Sequence, residues 1–400
     1  MNRKILIIKD KPGIWTFLLE AEEVVEIHFD KEKQDSSRSY LLGNIYIGKV
    51  KRIIANIGAA FVEIAPDAEC YYDISQARDA IFTKKAGKKD LCVGDELVVQ
   101  ISKDAVKTKV PTVSSNISFS GHYGVLTSGN TRIGVSAKLA KKQREEYKEL
   151  LKPYENEEYG LIIRTNAKDM PFEEVQKELD QHIRDFHQFK QMALTRTCFS
   201  CLKSAPPSYI SNLKNIYMEG LTEIVVDDLH LYNDICAYYK TAQPGQVGKI
   251  RLYQDSMVTL ASLYNTDREV RRALSEKIWL KNGAYLVIQP TEGLTVIDVN
   301  SGKYIKKEEA ADSWLKINLE AAREVAKQLR LRNISGIVIV DFINMDDEED
   351  TGHLLKELKD YLAKDPIQTT LVDMTALQLV EITRKKIRKP LYESVDFNVQ

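Results

Sequence analysis

Short hydrophobic segments alternate with charged and turn-forming residues through the first third of the chain. Residues 1–40 alternate short apolar strands with charged turns, and from Gly43 to about Ser118 nearly every segment has the pattern of a short strand bounded by turn formers. The predicted strands of this part are residues 44–54, 59–64, 70–74 and 96–103. This pattern is typical of a small closed β-barrel.

Helical patterns appear after the predicted barrel. A glycine-containing stretch between Gly121 and Gly134 leads into a polar segment with the pattern of a helix. The predicted elements that follow are a helix over 138–152, a strand over Leu161–Arg164, a helix over 171–197, a strand over Glu223–Val226 and a short strand that includes Ile250.

Strands and helices alternate from residue 284 onward. The predicted strands are 284–289, Leu294–Val299, Ile337–Ile343 and Thr369–Val372, and the predicted helices lie within 308–333, 349–363 and 376–389. This alternation predicts a layered strand-helix-strand domain.

The composition is that of a globular protein. Of the 400 residues, 44% are hydrophobic and 29% are charged, which excludes collagen-like, low-complexity and disulfide-dense classes. The 57 Lys and Arg residues nearly balance the 58 Asp and Glu residues, for a net charge of -1. A near-neutral chain has no overall basic coat, but it permits the local basic patches that dock a polyanion.

The chain shows no signal for export or membrane insertion. Four apolar residues follow the basic start, too few for a signal-peptide core, and no apolar run approaches the roughly 18 residues of a spanning helix. The five cysteines, an odd number in a long chain, do not indicate a disulfide framework. We therefore expect a cytoplasmic protein with reduced thiols and no membrane contact.

Two predicted strands each contain an aspartate, which strands disfavour. These are Asp298 and Asp341, and a carboxylate in apolar surroundings is costly unless a partner or a cation compensates it. Because strand side chains alternate, Asp298 and Asn300 face the same side and can offer two oxygens to one ion. Two carboxylates and an amide, with water and phosphate completing the shell, suit Mg²⁺. Mn²⁺ also takes oxygen ligands.

A structural role is the alternative for these acids. Each aspartate can end its strand and cap the following turn. The helix predicted between the two strands would place them side by side, and this spacing favours a shared site.

Five sequence blocks follow one another between residues 293 and 386. They are GLTVIDVNSG at 293–302, NLEAA at 318–322, QLRLR at 328–332, GIVIVDFINM at 336–345 and LVEITRKK at 379–386. In this order they strongly resemble the ribonuclease E/G family of endoribonucleases. Earlier in the chain, GNIYIGKV at 43–50 and AAFVE at 59–63 resemble the start of that family's S1-type RNA-binding barrel. The resemblance therefore extends across the chain.

The resemblance implies a multidomain α+β and α/β architecture. It predicts a split RNase H-like domain over 1–40 and 206–273, an inserted S1-type OB barrel over 41–118, a 5′-sensor domain over 119–205 and a DNase I-like α/β catalytic domain over 274–400.

The resemblance also implies that Asp298 and Asp341 bind Mg²⁺ and that they form the catalytic site together with Asn300. A metal that polarises a phosphodiester and lowers the pKa of its bound water makes a His or Ser nucleophile unnecessary. Arg330 and Arg332 are further candidates for RNA binding. Their alternative role is a favourable cationic end of a helix.

Three residues of the predicted barrel are candidate RNA contacts. Phe61 and Tyr71, on neighbouring strands, would stack on unpaired bases, and Lys109 would contact the RNA backbone. The alternative for Phe61 is a place in the barrel core, because an alternating strand buries one face.

A segment after the barrel resembles the family's 5′-sensor pocket. The residues at the family's positions are Gly121, Val125, Arg164 and Thr165. A guanidinium fork suits a terminal monophosphate. Ala137 stands where the family often has one of two adjacent basic residues, so that phosphate ligand is either missing or replaced by Lys138.

The end of the sequence departs from the family. Relatives continue into a cysteine pair that shares a zinc ion between subunits and then into a small domain, and the sequence ends at Gln400 before either. The family tetramer is therefore not carried over, and a homodimer is the oligomer considered. Cys198 and Cys201 supply only half of a tetrahedral zinc site. We expect plain thiols there, with a site shared across a dimer as the alternative.

Two charged runs complete the candidates. Arg384–Lys389 has five cations in six residues, which form either a solvated helix end or a surface that follows phosphates. The acids at 346–350 are expected to start the helix 349–363, with support for the active site as the alternative.

The resemblance implies a magnesium-dependent endoribonuclease. Its expected substrate is single-stranded, A/U-rich RNA in ribosomal RNA maturation or messenger decay, and its expected products carry 5′-phosphate and 3′-hydroxyl ends. A non-catalytic S1-domain RNA-binding factor is the alternative from another class. A metal phosphodiesterase for small molecules or DNA is a third, and it leaves the barrel unexplained.

Overall fold

The computed structural model describes residues 2–10, 12–31, 42–88, 90–103, 110–215, 220–242, 244–302 and 310–395. The chain divides into two compact units. The first unit combines Met1–Lys33 with Gly220–Gln400, and the second is Gln34–Glu219.

The described residues form 22 strands and 9 α-helices. The strands are β1 Arg3–Asp10, β2 Gly13–Glu20, β3 Glu23–Lys31, β4 Ile45–Ile54, β5 Ala59–Ala65, β6 Ala68–Asp73, β7 Phe82–Lys84, β8 Glu96–Lys103, β9 Thr112–Ser114, β10 Ser118–Ser120, β11 Gly124–Thr127, β12 Gly134–Val135, β13 Gly160–Ile163, β14 Cys201–Lys203, β15 Leu221–Val226, β16 Ile250–Leu252, β17 Lys277–Trp279, β18 Tyr285–Pro290, β19 Leu294–Asn300, β20 Gly336–Asp341, β21 Thr369–Met374 and β22 Leu379–Arg384. The helices are α1 Lys141–Leu151, α2 Phe172–Thr195, α3 Ser208–Asn215, α4 Leu229–Ala242, α5 Leu260–Tyr264, α6 Thr266–Leu274, α7 Ala310–Leu331, α8 Glu348–Leu362 and α9 Leu391–Ser394.

The second unit contains the predicted closed barrel. Strands β4, β5, β6, β9 and β8 pair in that order, and β8 pairs back onto β4. Alternating apolar side chains fill the interior, among them Val62, Ile64, Tyr72, Leu97 and Val99. A closed five-stranded barrel of this kind fits an OB-type domain. The prediction of a small closed β-barrel is confirmed.

A small sheet and a long helix form the rest of the second unit. The sheet order is β10-β11-β13-β12. Its buried residues Leu126, Leu161 and Ile163 share one core with Val175 and Leu179 of α2. The helix therefore covers one side of this sheet.

The first unit contains a five-stranded sheet in the order β16-β15-β1-β2-β3. Strand β1 pairs in parallel with β15 and antiparallel with β2. The N-terminal strands thus join a strand that begins at Leu221, more than 200 residues later. Both β1 and β15 are apolar runs with fully buried residues, such as Leu6 and Val225, as expected for central strands.

The other sheet of the first unit has six strands in the order β17-β18-β19-β20-β22-β21. Helix α7 connects the parallel neighbours β19 and β20, and α8 follows β20. Ile297 and Val340 of the sheet share a core with Val325 of α7 and Leu358 of α8, so these helices cover one face. We call the opposite face, whose side chains are half-buried or exposed, the open face.

The predicted helix over 376–389 is wrong. Residues 379–384 form β22, in which Val380, Ile382 and Arg384 are buried and Thr383 is exposed. This alternation has the period of a strand. The acids at 346–350 do start a helix, as predicted: Asp347 accepts a hydrogen bond from the Glu349 N–H at the N-terminus of α8. Within the described residues, no helix is long and apolar enough to cross a membrane.

Arg384 belongs to the interior and not to a cationic surface. It is 3% exposed. Its Nε donates to Asp365 Oδ2 at 2.7 Å, and its Nη1 donates to Asn333 Oδ1 at 2.8 Å and to the Ile334 carbonyl at 3.1 Å. This buried ion pair holds the loop after α7 and the segment after α8 against β22.

We expect Arg384→Gln and Asp365→Asn each to lower the free energy of unfolding by about 3–5 kcal/mol, because each leaves its partner charge buried and unpaired. Urea denaturation followed by circular dichroism measures this change. Lys386→Gln, at an exposed position of the same cationic run, is the control and should change the free energy of unfolding by less than about 0.5 kcal/mol. Equal effects at Arg384 and Lys386 would contradict the structural role of the buried pair.

Candidate functional site

Asp298 and Asp341 are direct neighbours across two parallel strands. In the register of β19 and β20, Asp298 lies opposite Asp341 at the carboxyl ends of both strands. Paired residues of neighbouring strands point to the same face of a sheet. The structure therefore brings the two predicted acids together, as the strand-helix-strand pattern indicated.

Both acids lie outside the core that the helices cover. The buried residues of β19 are Thr295, Ile297 and Val299, whereas Asp298 is half-buried and Asp341 is exposed. Strand alternation places both side chains on the open face, where their cross-strand neighbours Val287 and Leu379 are apolar. Both carboxylates can therefore contact a ligand from solvent.

Asn300 lies beside the acids on the same face. Its Nδ2 donates a hydrogen bond to Asp298 Oδ2 at 2.6 Å. Two positions along one strand bring the side chains to the same side, and this bond fixes the amide next to the carboxylate. The three predicted catalytic residues therefore form one cluster.

The two acids repel each other. Partial burial, and then the negative charge of Asp298, raise the pKa of the Asp341 carboxyl above its ordinary value. Among the described residues, no Lys, Arg or His side chain forms an ion pair with either acid. The cluster thus has a surplus of negative charge that a cation would relieve.

The donor set fits a hard divalent cation. The described residues contain no group of three or more His, Cys, Asp and Glu side chains that could hold a metal. Two carboxylates and one amide oxygen are nevertheless what Mg²⁺ commonly takes from protein, since it keeps several waters. Asp298, Asp341 and Asn300 are the residues that would hold it.

Aromatic residues next to the acids were missed by the sequence reasoning. Tyr285 of β18 lies opposite Asn300, and Trp279 of β17 lies opposite Tyr285. In the adjacent row, Lys277 lies opposite Val287. The sequence contained one indication of these residues. Lys277 and Trp279 are two positions apart, so both lie on one face if 277–279 is a strand.

Phe61 and Tyr71 form a cross-strand pair on the barrel. They are register partners in β5 and β6, with ring centres 6.4 Å apart and planes at 87°. Both are half-buried, whereas Val62 and Tyr72 beside them are fully buried. The alternative that Phe61 belongs to the barrel core is therefore wrong. Lys109 lies outside the described residues.

A cation that the sequence reasoning did not single out lies over the Phe61 ring. The Arg52 guanidinium is 3.9 Å from the ring centre, a cation–π contact, and it also pairs with Glu69 at 3.0 Å. Arg52 is the register partner of Phe61 in β4. The barrel thus presents two aromatic rings and the Arg52–Glu69 ion pair on one outer patch.

The residues of the predicted 5′-sensor also come together. Arg164 Nη1 donates to the Gly121 carbonyl at 2.7 Å. The Thr165 and Ser136 hydroxyls lie 2.9 Å apart, and the exposed Lys138 follows two residues later. Ser136 was not among the predicted residues. Val125 lies in β11, opposite Ile162 of β13.

A carboxylate occupies the backbone donors next to this cluster. The Glu178 carboxylate accepts hydrogen bonds from the N–H groups of His122, Tyr123 and Gly124 at 2.8–2.9 Å. A Cβ at Gly121 would lie 2.3 Å from Glu178 Oε1, so a larger residue there would displace this carboxylate. The loop that begins at Gly121 is therefore held by Glu178 of α2.

Comparison with known proteins relates the chain to one family. A sequence profile described as Ribonuclease E/G family matches residues 118–387. The chain is 31% identical over 379 residues to Ribonuclease G of Salmonella typhimurium, in an alignment that covers 91% of this chain and 76% of that protein. It is 29% identical over 386 residues to Ribonuclease E of Synechocystis sp., covering 94% and 57% respectively.

The chain belongs to the ribonuclease E/G family. The resemblance of the five blocks between 293 and 386 is thereby confirmed, and so is the expected enzyme class, an endoribonuclease. The matched range includes the acids and the predicted sensor residues. Phe61 and Tyr71 precede it.

Arg330, a candidate RNA contact of this family member, is engaged elsewhere. Its guanidinium pairs with Glu26 at 2.7 Å and with Glu20 at 3.1 Å, and its side chain is 16% exposed. Burial opposes ionisation of Glu26, but the hydrogen bond with His28 and the charge of Arg330 outweigh it and lower the pKa of Glu26 to about 2. These contacts attach α7 to β2 and β3 and favour a structural role.

Arg332 is also buried. It is 6% exposed, and its Nε donates to Gln328 Oε1 at 2.6 Å. Burial lowers the pKa of Arg332 to about 10. It lines a cavity of about 480 Å³ together with Leu274, Ile288 and Tyr392. The geometry therefore does not place this arginine with the acids.

The cysteines are all free thiols. Cys198 is half-buried and Cys201 is exposed. One thiol of the CxxC pair therefore lies at the surface.

Proposed function

We propose that this protein is a magnesium-dependent endoribonuclease that cuts single-stranded, A/U-rich RNA internally, leaving 5′-phosphate and 3′-hydroxyl ends. The observation that carries the proposal is the cluster of Asp298, Asp341 and Asn300 on the open face, in a member of the ribonuclease E/G family. Ribosomal RNA maturation and messenger decay are the proposed processes.

The acids supply the negative pole of the site. Asp298 and Asp341 are adjacent and have no cationic partner among the described side chains, so an RNA phosphate would be repelled unless a cation lay between. Bound there, Mg²⁺ would polarise the phosphodiester and activate water, which supplies charge stabilisation and the nucleophile.

Asn300 is the positioning group of the cluster. Its hydrogen bond to Asp298 orients one carboxylate, and it lies at the end of β19, next to where a phosphate oxygen would bind. An amide can bind such an oxygen without adding charge.

The barrel would bind the single strand. Phe61 and Tyr71 offer ring surfaces, and Arg52 offers a positive charge against the RNA backbone. Base stacking tolerates any sequence, because every base has a π-face. Lys109 remains a proposed backbone contact on family resemblance alone.

The sensor cluster would bind a 5′-monophosphate. Arg164 offers a guanidinium, and the Thr165 and Ser136 hydroxyls lie beside each other. We propose that Lys138 replaces the basic residue that the family often has at the position of Ala137. Because Glu178 holds the backbone donors, the phosphate would depend on these side chains.

The proposed domains follow the family: a split RNase H-like domain over 1–40 and 206–273, an S1-type barrel over 41–118, a 5′-sensor domain over 119–205 and a DNase I-like domain over 274–400. The pairing of β1 with β15 and the α7 crossover support the first and the last of these.

We expect Asp298→Asn and Asp341→Asn each to reduce the rate of RNA cleavage by about 100-fold or more, because each removes a ligand of an ion that supplies several kcal/mol of stabilisation. The assay is internal cutting of an end-labelled single-stranded RNA with Mg²⁺, with EDTA and with Mg²⁺ restored. Asp373→Asn, an exposed aspartate of β21 in the same sheet, should keep full activity. RNA binding without cutting, in the wild type and in both variants, would leave a non-catalytic RNA-binding factor. Equal cleavage of DNA would favour a general phosphodiesterase.

We expect Phe61→Ala to raise KM for single-stranded RNA by about 5- to 100-fold with a smaller effect on kcat, the range expected for loss of one stacked base. Steady-state cleavage with varied RNA concentration measures this. Ile57→Ala, at a position 65% exposed in the same unit, is the matched control. An unchanged KM in Phe61→Ala would remove the barrel rings from the substrate path.

We expect the wild type to cut a 5′-monophosphate RNA about tenfold faster than the same RNA with a 5′-hydroxyl, the difference one to two charged hydrogen bonds provide. In Arg164→Gln the two substrates should be cut at nearly the same rate. Arg132→Gln, an exposed arginine of the same unit, should keep the preference. A wild type that cuts both ends alike would show that the cluster is no sensor.

A further inference from the structure

Three side chains extend the open face away from the catalytic acids. Trp279 is 60% exposed, Tyr285 is half-buried beside it, and Lys277 is exposed on the same strand as Trp279. We call these three residues the aromatic platform. None of them takes part in the site proposed above.

Strand register fixes where the platform lies. Trp279, Tyr285 and Asn300 are successive partners across β17, β18 and β19 and so form one row on the open face. Neighbouring strands are about 4.8 Å apart. Tyr285 is therefore one strand from Asn300, and Trp279 is two strands, about 10 Å, from it.

The next row along the strands includes both acids. Lys277 pairs with Val287, Val287 with Asp298, and Asp298 with Asp341. The only positive charge of this row thus lies on the platform side of the acids, two strands from Asp298. An RNA strand bound at the acids can therefore place a phosphate near Lys277.

The platform side chains hold one another in place. The Trp279 and Tyr285 ring centres are 5.1 Å apart with planes at 57°, and Lys277 Nζ lies 3.5 Å from the Tyr285 ring centre and 4.2 Å from that of Trp279. Cation–π contacts of this kind restrict side-chain motion. Trp279 nevertheless keeps most of its surface exposed, so the three residues contact one another without being covered.

We propose that Lys277, Trp279 and Tyr285 form a stacking subsite for a base of single-stranded RNA within one or two nucleotides of the scissile phosphodiester. This inference rests on the proposed function. Exposed aromatic rings bind unpaired bases by stacking, and a neighbouring cation binds the backbone. Two rings and a lysine are complementary to a nucleotide, which has a π-face and a negatively charged phosphate.

The subsite would bind bases without reading their identity. Stacking surfaces accept every base, with preferences set by stacking strength. A Lys277 ammonium is a point charge with no fixed geometry for base edges. The platform would therefore orient the substrate strand across the sheet and hold the reacting phosphodiester over the acids.

An abasic scan of the substrate tests the proposal. A series of RNAs carries one abasic nucleotide at each position around the cut, and cleavage by wild type, Trp279→Ala, Tyr285→Ala and Trp279→Phe is measured. We expect Trp279→Ala to raise KM by about 5- to 100-fold on intact RNA. We also expect one abasic position to weaken the wild type similarly but to cause no further loss in Trp279→Ala, the non-additivity of partners in contact. Trp279→Phe, which keeps a ring, should restore most of the affinity.

The matched control is Val372→Ala, at an exposed apolar position of β21 in the same sheet, which should change neither KM nor the abasic profile. Circular dichroism confirms that each variant is folded. Trp279→Ala with wild-type KM, or a loss equal at every abasic position, would overturn the platform.

The outcomes for the platform and for the enzyme are separable. If the wild type cuts RNA and Asp298→Asn does not, the proposed function stands whatever Trp279→Ala does. If no RNA is cut, the proposed function fails, and the platform is tested by binding alone. Quenching of tryptophan fluorescence by single-stranded RNA that is lost in Trp279→Phe would support it, and quenching that is unchanged would overturn it. Binding of a protein at the aromatic platform in place of RNA would also overturn the proposal.

Discussion

Two like charges lie side by side in the first unit, on the parallel strands β19 and β20. Parallel neighbouring strands need a crossover connection. Helix α7 joins β19 to β20 and packs on one face of the sheet through residues such as Val325. In the register of these two strands, Asp298 lies opposite Asp341. Partial burial, and then the charge of Asp298, raise the pKa of the Asp341 carboxyl, and the cluster carries an excess of negative charge. The helix core therefore stabilises an arrangement that the acids alone would oppose.

The one-sided covering of this sheet explains why the site is accessible. Helices α7 and α8 bury one face, so every second residue of β19 and β20 points the other way. The same alternation that fills the core with Ile297 and Val340 presents Asp298 and Asp341 on the open face. It also presents Trp279 and Tyr285 there, two strands and one strand from Asn300. A substrate strand can thus cross several β-strands in contact with side chains from each of them.

Local patterns predicted the elements better than they predicted burial. The barrel strands, α7, α8 and the pairing of the two acid-bearing strands follow from periodicity and turn residues. The cations of the segment 379–389 favour a helix end, and the helix prediction is wrong for this reason. Arg384 is buried and pairs with Asp365, 19 residues away in sequence. Arg330 is bound by Glu26, 304 residues away. No local pattern contains such partners, so the roles of both arginines required the structure. The exposure of Asp341 and the half-exposure of Phe61 likewise depend on which face is covered.

The two phosphate sites proposed for this protein face opposite electrostatic problems. At the acids, negative charge is in excess, so phosphate binding requires a cation that the side chains of the cluster do not provide. At the sensor cluster, Arg164 supplies positive charge, but Glu178 accepts from three backbone N–H groups that could otherwise bind an anion. A phosphate there has to be held by side chains beside a fixed carboxylate. Binding of a 5′-end should therefore respond more steeply to loss of a single cation than binding in a backbone-lined pocket would, and it should weaken as salt screens the charge of Arg164. The catalytic site should respond first to the divalent cation.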